Sequence, residues 1–330
     1  MKTILTHLYQ HKTFTKEEAK TILVDIASGK YNHSQIASFL TAFIMRNITL
    51  NELSGFREGL LSLCNKIDLS GFKAMDVCGT GGDGKNTFNI STLTAFVLAG
   101  AGIPVSKHGN YGVSSVSGSS NVLEYLGIHF QTEENILKTQ LSQAGICFLH
   151  APLFHPAMKH VAPVRKELGV KTFFNMLGPL VNPSQPAIQM VGVFNLELAR
   201  MYQYLFQEEN MRYSIVHAMD GFDEITLTGD CKIITNDGEQ IITERDFKLN
   251  KVSYEDLHGG NTVEEAASIF MNIIDGKGTQ AQNNVVVANA AMAIKTYHPN
   301  LTLLQAVDQA TESLFSLKAK QSFTTLKEIQ

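Results

Sequence analysis

Glycine is concentrated in residues 76–92, which read D-V-C-G-T-G-G-D-G-K-N-T-F-N-I-S-T. A short apolar run enters this segment from Ala74, and an apolar helical run that reaches Gly100 follows it. A strand, a glycine loop and a helix start in that order present backbone N–H groups and a helix dipole to an anion. The segment therefore predicts a phosphate site. A glycine-rich turn without a ligand is the alternative, because the segment matches neither G-x-G-x-x-G nor G-x-x-x-x-G-K-[ST].

The chain beyond about residue 72 alternates between strand-like and helical patterns. The strand-like runs cover residues 74–78, 103–107, 145–149, 188–193 and 213–218, and the helical runs cover 91–100, 119–126, 133–143 and 197–209. This alternation predicts a mostly parallel sheet covered by helices. Residues 233–242, with a turn at Asp237-Gly238, predict a hairpin that adds an antiparallel edge to the sheet.

Two domains are predicted, a small all-helical one over residues 1–70 and a larger α/β domain over 71–330. Three short amphipathic helices are predicted in the first of them, opened by Thr15, by Asn32 or His33, and by Thr49. Part of 165–187, a passage broken by Pro, Gly and Asn, is predicted to rejoin the helical domain. Three such helices bury little alone, so they must pack on the rest of the chain or on another subunit.

The composition is that of a globular protein, with 330 residues, 44% hydrophobic and 18% charged, and a net charge of −4. That negative balance argues against a nucleic-acid or anionic-membrane partner. The four cysteines are widely spaced, which argues against structural zinc and a disulfide framework. The N-terminus has no signal-peptide core, and no apolar run approaches the ~18 residues that span a bilayer. We therefore expect a soluble cytoplasmic protein.

A second loop of polar residues runs from Lys107 to Ser120 and reads K-H-G-N-Y-G-V-S-S-V-S-G-S-S. It follows a short strand and precedes a helix for which Ser119 is the predicted N-cap. A lysine, a histidine, an asparagine and five serines can surround an anion with hydrogen-bond donors. Ligands of α/β proteins bind at such loops, so the pattern favours a site over a polar surface loop.

Two further groups of residues carry candidate chemistry. Asp223 and Glu224 end the acidic turn D-G-F-D-E at 220–224, and Mg²⁺ prefers one or two carboxylates together with water and phosphates. A solvated acidic turn is the alternative, but an unneutralised acidic pair would repel a polyphosphate at the neighbouring loops. Arg165 could clamp a carboxylate through two N–H donors, or could simply be a surface arginine, and His155 could be a capping or core histidine. The sequence contains no G-x-S-x-G, no H-E-x-x-H and no cysteine in nucleophile-like surroundings.

Eight motifs in order resemble the anthranilate phosphoribosyltransferase family across nearly the whole chain. They are G-T-G-G-D (79–83), N-I-S-T (89–92), K-H-G-N (107–110), S-G-S-S (117–120), H-P-A-M-K (155–159), V-R-K-E-L-G (164–169), N-x-L-G-P-L-x-N-P (175–183) and D-G-F-D-E (220–224). The related pyrimidine nucleoside phosphorylases share the architecture and a glycine loop, but not K-H-G-N or D-G-F-D-E in this arrangement.

The resemblance implies a nucleoside phosphorylase/phosphoribosyltransferase-like fold and a homodimer that contacts through the helical part. It implies Mg²⁺-dependent transfer of the phosphoribosyl group from 5-phosphoribosyl 1-pyrophosphate to the amine of anthranilate, within tryptophan biosynthesis. Its motifs match phosphoribosyl pyrophosphate contacts to Gly79, Gly82, Asp83, Thr87, Asn89, Ile90, Ser91, Thr92, Lys107 and Ser119. They match the anthranilate site to Gly79, His108, Asn110, His155 and Arg165, and the metal ligands to Ser91, Asp223 and Glu224.

One loop departs from the family pattern. The family usually reads K-H-G-N-R, with Lys a few residues on and Asp in the next helix, where this chain has Tyr111, Val116 and Asn121. Two cations are thereby lost near an anionic substrate pair. We expect a weaker local positive potential, with Tyr111 stacking near the aromatic substrate.

Two other functions fit the sequence less well. One is a related phosphoribosyltransferase or nucleoside phosphorylase with another acceptor, although Arg165 with Asn110 favours a carboxylated aromatic acceptor. The other is a non-catalytic relative that binds nucleic acid, which the net charge of −4 argues against. For the transfer reaction we expect no catalytic acid or base, since pyrophosphate leaves readily once its charge is neutralised and the amine already carries a lone pair. Positioning and electrostatics then supply the catalysis.

Overall fold

A computed structural model describes residues 1–112 and 117–329 of the chain. The helices up to the middle of the chain are α1 (Lys2–Tyr9), α2 (Lys16–Ala27), α3 (His33–Ile44), α4 (Leu50–Leu63), α5 (Ile90–Gly100), α6 (Ser119–Tyr125), α7 (Glu134–Ala144), α8 (Ala151–Phe154), α9 (Ala162–Leu168) and α10 (Phe174–Leu177). Those that follow are α11 (Leu196–Glu208), α12 (Val263–Ile274), α13 (Gln280–Tyr297), α14 (Leu303–Phe315) and α15 (Lys318–Glu328). The strands are β1 (Met75–Gly79), β2 (Val105–Gly109), β3 (Ile146–His150), β4 (Ile188–Gly192), β5 (Arg212–Ala218), β6 (Cys231–Thr235) and β7 (Gly238–Ile242).

The chain divides into two compact units. One consists of residues 1–66 and 151–183, and the other of 67–150 and 184–330. The returning segment of the first unit begins at Ala151, before the 165–187 passage that the sequence indicated.

The first unit is all helical. Thr15, Asn32 and Thr49 cap α2, α3 and α4, each with a reciprocal capping box. The sequence predicts the caps Thr15 and Thr49, and of its two candidates for α3 the structure has Asn32. The helix α1 was not predicted, because it is short and only Leu8 of it is fully buried. An aromatic cluster joins the two segments of the unit, since Phe173 stacks on Phe56 with ring centroids 4.5 Å apart. The core of the helical unit is therefore formed by residues from both of its segments, 1–66 and 151–183.

The second unit holds a seven-stranded sheet in the order β3-β2-β1-β4-β5-β6-β7. The strands from β3 to β5 are parallel, and β6 and β7 form an antiparallel edge. The helix α5 is buried almost all round and packs with α13 and the sheet in a single apolar core. The predicted class, a helical domain with a larger α/β domain around a mostly parallel sheet, is confirmed.

Two local predictions were off by one residue. The hairpin turn is Asn236-Asp237, because Gly238 already pairs with Thr235 as the first residue of β7. Gly118, not Ser119, is the N-cap of α6, so the Ser119 backbone is already helical. Within the described part of the chain, no helix combines the length and the apolarity needed to cross a bilayer.

Candidate active site

The predicted phosphate and metal residues of the α/β unit collect at one edge of the sheet. β2, β1, β4 and β5 are neighbours and run parallel, so their carboxyl ends share that edge. The glycine loop follows β1, the 107–120 loop starts on β2, and the acidic turn 220–224 follows β5. In open α/β sheets, ligands bind outside these strand ends.

The glycine loop approaches the acidic turn so closely that side chains are excluded. A Cβ on Gly79 would lie 2.3 Å from the Asp223 Oδ2 atom, and a Cβ on Gly192 would overlap the Asp223 backbone carbonyl. The Gly81 N–H donates to Asp223 Oδ2 over 2.8 Å. Gly81, Gly82 and Gly84 all have positive φ, between 61° and 77°. Glycine is needed here because other residues rarely adopt this backbone conformation.

Three carboxylates meet where the loop and the turn touch. Oxygen atoms of Asp83, Asp223 and Glu224 lie within 4.8 Å of one another. Burial, together with repulsion from the neighbouring carboxylates, raises the pKa of Asp223 and that of Glu224 above the ordinary carboxyl range. Glu224 Oε2 is buried and has no hydrogen-bond partner among the described residues. A cluster of acids with this much uncompensated repulsion fits a divalent cation.

This metal group differs in membership from the predicted one. Asp223 and Glu224 belong to it as the sequence analysis proposed, but Asp83, which was assigned only to phosphoribosyl pyrophosphate, joins them. The Ser91 hydroxyl accepts from Lys107 Nζ over 3.4 Å. The signal for Asp83 was its place in G-D-G at a strand end, but only the fold shows that this turn meets residues 223 and 224.

Lys107 is a buried cation beneath the acidic cluster. Its Nζ donates to the Val77 carbonyl over 2.6 Å, and burial lowers its pKa. The positive charge of Lys107 lowers the pKa of Glu224, but burial and the neighbouring carboxylates raise that pKa more strongly. Lys107 therefore offsets part of the negative charge at the base of the site.

The remaining predicted phosphate residues lie on the helix that follows the loop. Asn89 is the N-cap of α5, and its Nδ2 donates to the Ser117 carbonyl over 3.2 Å. Ile90 and Thr92 are buried in the first turn, so only their backbone can face a ligand. Thr87 forms an isolated bridge with His258. The first-turn N–H groups of a helix lack intrahelical acceptors, which suits them to bind an anion.

Hydrogen bonds join the two described ends of the loop after β2. The Asn110 carbonyl accepts from Ser119 Oγ over 3.3 Å and from the Ser120 N–H over 3.2 Å. The His108 side chain is buried, and the His108 backbone N–H donates to Asp76 Oδ1. These contacts bring the predicted residues His108, Asn110 and Ser119 together at the end of β2.

Two of the three departures from the family pattern have defined contacts. The Asn121 Oδ1 accepts from the N–H groups of Gly112 and Gly118 over 2.9 and 3.0 Å. The Tyr111 hydroxyl lies 3.3 Å from a Glu124 carboxylate oxygen, and its ring meets His150 edge-on at 4.8 Å. Val116 lies outside the described residues. Stacking of Tyr111 near the aromatic substrate stays a prediction.

The predicted residues of the helical unit are His155 and Arg165. Arg165 is half-buried on α9, with its guanidinium 5.3 Å from the Phe174 ring centroid and 3.4 Å from Asn175 Oδ1. Burial lowers its pKa, and no ion pair to a carboxylate is found for it within the described chain. His155 is buried with Nε2 2.9 Å from the Val181 carbonyl, and burial lowers its pKa to about 4. His155 is therefore a neutral donor that holds the returning segment.

Two glycosyl transferase family domains match the chain. The helical bundle domain matches residues 2–64 and the a/b domain matches residues 71–320.

Several relatives carry one name along their full length. The chain is 61% identical to an anthranilate phosphoribosyltransferase of Flavobacterium psychrophilum, over 100% of this chain and 99% of that protein. It is 60% identical to one of Flavobacterium johnsoniae, with the same coverage.

Solved structures with the same fold include two enzymes of that name. The crystal structure from Thermus thermophilus is 30% identical, with a TM-score of 0.91 over 99% of this chain and 98% of that chain. The structure from Saccharomyces cerevisiae in complex with PRPP and Mg is 25% identical, with a TM-score of 0.90 over 99% and 97%.

Proposed function

The chain belongs to the anthranilate phosphoribosyltransferase family, and on that premise we propose which of its residues carry the reaction. The enzyme transfers the phosphoribosyl group of 5-phosphoribosyl 1-pyrophosphate to the amine of anthranilate in tryptophan biosynthesis. The products are N-(5-phosphoribosyl)anthranilate and pyrophosphate.

Phosphoribosyl pyrophosphate binds to the glycine loop and the start of α5. The residues are those that the family motifs indicate, namely Gly79, Gly82, Asp83, Thr87, Asn89, Ile90, Ser91, Thr92, Lys107 and Ser119. Two features support this assignment, the positive φ angles that leave the loop backbone open to an anion and the helix N-terminus beside it.

Magnesium is held by Asp223, Glu224 and Asp83, with Ser91 as a further oxygen ligand. The relative from Saccharomyces cerevisiae was solved with PRPP and Mg. In this chain the support is the acidic cluster itself. A divalent cation would reduce the repulsion among the three carboxylates and would give the buried Glu224 Oε2 a partner. Bound Mg²⁺ would neutralise the charge that develops on the departing pyrophosphate.

Arg165 and Asn110 bind the acceptor, with the Gly79 backbone, His108 and His155 around it. Arg165 supports an acidic acceptor because it is a half-buried cation whose contacts are an amide oxygen and an aromatic face. An anthranilate carboxylate would supply the bidentate partner that this guanidinium fits. His155 acts on the acceptor side through its fixed, uncharged ring rather than by exchanging protons.

The reaction needs positioning more than acid–base catalysis. The C1–O bond to pyrophosphate breaks, the amine nitrogen bonds to C1, and the amine then loses a proton to water. The loop N–H groups and Lys107 stabilise the leaving group, while Arg165 and Asn110 aim the amine at C1. None of the site residues is required as a general base in this scheme.

The enzyme works as a homodimer through its helical unit and is a cytoplasmic protein. Support for the interface is the exposure of apolar side chains on that unit, above all Met45, which is 80% exposed beside Ile44 at the end of α3. Exposed apolar residues of this kind are typical of a surface that another subunit covers.

The acidic cluster is the observation on which the proposed site depends, and the test removes its charge. Asp223→Asn combined with Glu224→Gln should lower kcat on the order of 100-fold or more, because the metal loses its ligands. Without Mg²⁺ the variant should unfold at the same temperature as the wild type or higher, since the repulsion is gone. Loss of anthranilate fluorescence with phosphoribosyl pyrophosphate and Mg²⁺ measures the rate, and calorimetry measures unfolding.

A matched control loses the same charge elsewhere. Glu208→Gln with Glu209→Gln changes two adjacent exposed acids at the end of α11 and should leave kcat unchanged. Full activity in the Asp223→Asn, Glu224→Gln variant would refute the metal assignment.

A further inference from the structure

Lys85 of the glycine loop lies against two aromatic rings. Its Nζ is 4.9 Å from the centroid of the Phe222 ring and 5.1 Å from that of Tyr254. The two rings are 5.5 Å apart at 50° to each other. Both distances lie within the ~6 Å at which an ammonium is attracted to the face of an aromatic ring. Lys85 is thus held by two cation–π contacts.

The two rings belong to different parts of the α/β unit. Phe222 is buried within the turn that carries Asp223 and Glu224. Tyr254 is 53% exposed and directly precedes the short 3-10 helix Glu255–Leu257. Lys85 therefore connects the glycine loop to the acidic turn and to the 254–260 segment with one side chain.

On the loop side, Lys85 is joined to one of the three clustered acids. Its backbone N–H donates to Asp83 Oδ1 over 2.9 Å. The carboxylate of Asp83 is thereby fixed relative to Lys85, and Lys85 is fixed relative to Phe222. A change at Lys85 thus reaches Asp83 through the loop, and reaches Asp223 and Glu224 through the residue before them.

The loop beyond Lys85 is already fastened by hydrogen bonds. Asn86 Nδ2 donates to the Gly260 carbonyl over 2.8 Å, and the Asn86 carbonyl accepts from the Gly259 N–H over 2.8 Å. The Phe88 N–H donates to the Leu257 carbonyl over 3.0 Å. At the start of the loop, Gly81 is bonded to Asp223. Asp83 lies between Gly81 and Asn86, the two hydrogen-bonded positions, and the cation–π contacts of Lys85 hold the end of this segment.

Lys85 contacts aromatic rings and not the carboxylates of the metal site. A lysine beside three clustered acids could pair with one of them, yet Lys85 makes no ion pair within the described residues. The aromatic faces hold the ammonium without using a carboxylate oxygen. The Lys85 ammonium therefore occupies no oxygen of the three clustered acids.

We propose that Lys85 is a positioning residue that, through Phe222 and Tyr254, sets Asp83 against Asp223 and Glu224 for the binding of magnesium with phosphoribosyl pyrophosphate. This inference rests on the metal site proposed above. Lys85 is not among the residues that the family motifs indicate, and the proposal gives Tyr254 a role in holding it in place.

Lys85→Met tests the role, because methionine keeps much of the stem and removes the charge. The affinity for phosphoribosyl pyrophosphate in the presence of Mg²⁺, measured by calorimetry without anthranilate, should fall about three- to tenfold. The Mg²⁺ concentration for half-maximal rate should rise by a similar factor, and the KM for anthranilate should stay unchanged. Lys85→Arg, which keeps the cation–π contacts, should restore both quantities. Lys277→Met, an exposed lysine elsewhere in the unit, should change neither.

A double-mutant cycle tests the partner. Tyr254→Leu should weaken the same affinity, Tyr254→Phe should not, and Lys85→Met combined with Tyr254→Leu should be no worse than Lys85→Met alone. The inference is overturned if Lys85→Met leaves the affinity unchanged, if Lys85→Arg fails to restore it, or if the two variants add fully. Failure of the metal site itself has a different signature, since then Asp223→Asn with Glu224→Gln would also leave the rate unchanged.

Discussion

At the scale of single residues, Arg165 is the residue that we propose binds the acceptor carboxylate. Among the described residues, its guanidinium contacts the Asn175 amide oxygen and the Phe174 ring, so a substrate carboxylate would be its charged partner. Arg165→Ala should raise the KM for anthranilate about 10- to 100-fold, the loss expected for hydrogen bonds to a charged group. The KM for phosphoribosyl pyrophosphate and kcat at saturation should change little, as steady-state kinetics with each substrate varied will show.

Two further variants sharpen that measurement. Arg165→Lys keeps the charge but loses the planar guanidinium, so its KM for anthranilate should lie between those of the wild type and Arg165→Ala. Arg245→Ala removes an arginine whose side chain is 90% exposed and should behave as wild type. An equal rise in both substrate KM values in Arg165→Ala would contradict binding of the acceptor carboxylate.

His155 gives the molecule an acid-sensitive stability. Burial lowers its pKa to about 4 in the folded state, below the ordinary 6.5, so the unfolded chain binds the proton more tightly. The stability that the neutral ring contributes is complete above pH 6.5 and is lost as the pH falls toward 4. The free energy of unfolding should drop on the order of 2–3 kcal/mol over that window through this group.

Replacement of the ring isolates that contribution. His155→Gln keeps an N–H donor for the Val181 carbonyl but does not titrate, so its loss of stability between pH 6.5 and 4 should be smaller by that amount. Urea denaturation at a series of pH values measures the difference. His129→Gln, at an exposed position, should follow the wild-type curve, and a His155→Gln curve identical to it would exclude this role.

At the scale of elements, Gly55 sets how closely α4 packs on α2. A Cβ on Gly55 would lie 2.2 Å from the Lys16 carbonyl oxygen and 2.8 Å from Ala19 Cβ. Alanine normally stabilises a helix relative to glycine, but here it must push the two helices apart. Gly55→Ala should therefore destabilise the protein by about 1–3 kcal/mol in denaturant unfolding. Gly71→Ala, where a Cβ meets nothing within 4 Å, should be close to neutral, and a stable Gly55→Ala protein would show that the helices can separate without cost.

The elements that sequence predicted best were those with local signals. Thr15 and Thr49 were correctly identified as caps because a side chain three residues on completes the box, and no distant contact is needed. Ser119 was misplaced by one position because Gly118, which has no capping side chain, occupies the N-cap instead. The five parallel strands were predicted to within two residues at each end, because the apolar residues that begin or fill each of them stand between polar or glycine-containing loops. The fit is poorest for β2, whose buried residues Ser106, Lys107 and His108 are polar.

The acidic cluster shows what sequence could not provide. The need for glycine at Gly79 is set by Asp223, which is far away in the chain. Asp83 joins the other two acids, and Lys85 contacts Phe222, because the glycine loop and the 220–224 turn lie against each other. Such pairings follow from the order of the strands in the sheet, which sequence patterns suggest only coarsely.

At the scale of the whole molecule, we expect a second subunit to cover the apolar surface left on the helical unit. Tyr9 of α1 is 62% exposed, and Met45, which directly follows α3, is 80% exposed; α1 and α3 contact each other. A charge placed in the middle of a subunit interface is costly, because the partner offers it no compensation. Met45→Glu should therefore shift the sedimenting species from about twice 36.3 kDa toward the single chain.

The same substitution separates assembly from folding. Met45 follows the last residue of α3 and is largely exposed, so Met45→Glu should leave the circular dichroism spectrum unchanged. Tyr204→Glu places the same charge at a residue of the α/β unit that is 56% exposed, and this variant should sediment like the wild type. Dissociation caused equally by both variants would place the interface elsewhere, and an intact dimer in Met45→Glu would remove α3 from it. Only the pattern in which Met45→Glu alone dissociates the protein agrees with a dimer formed through the helical unit.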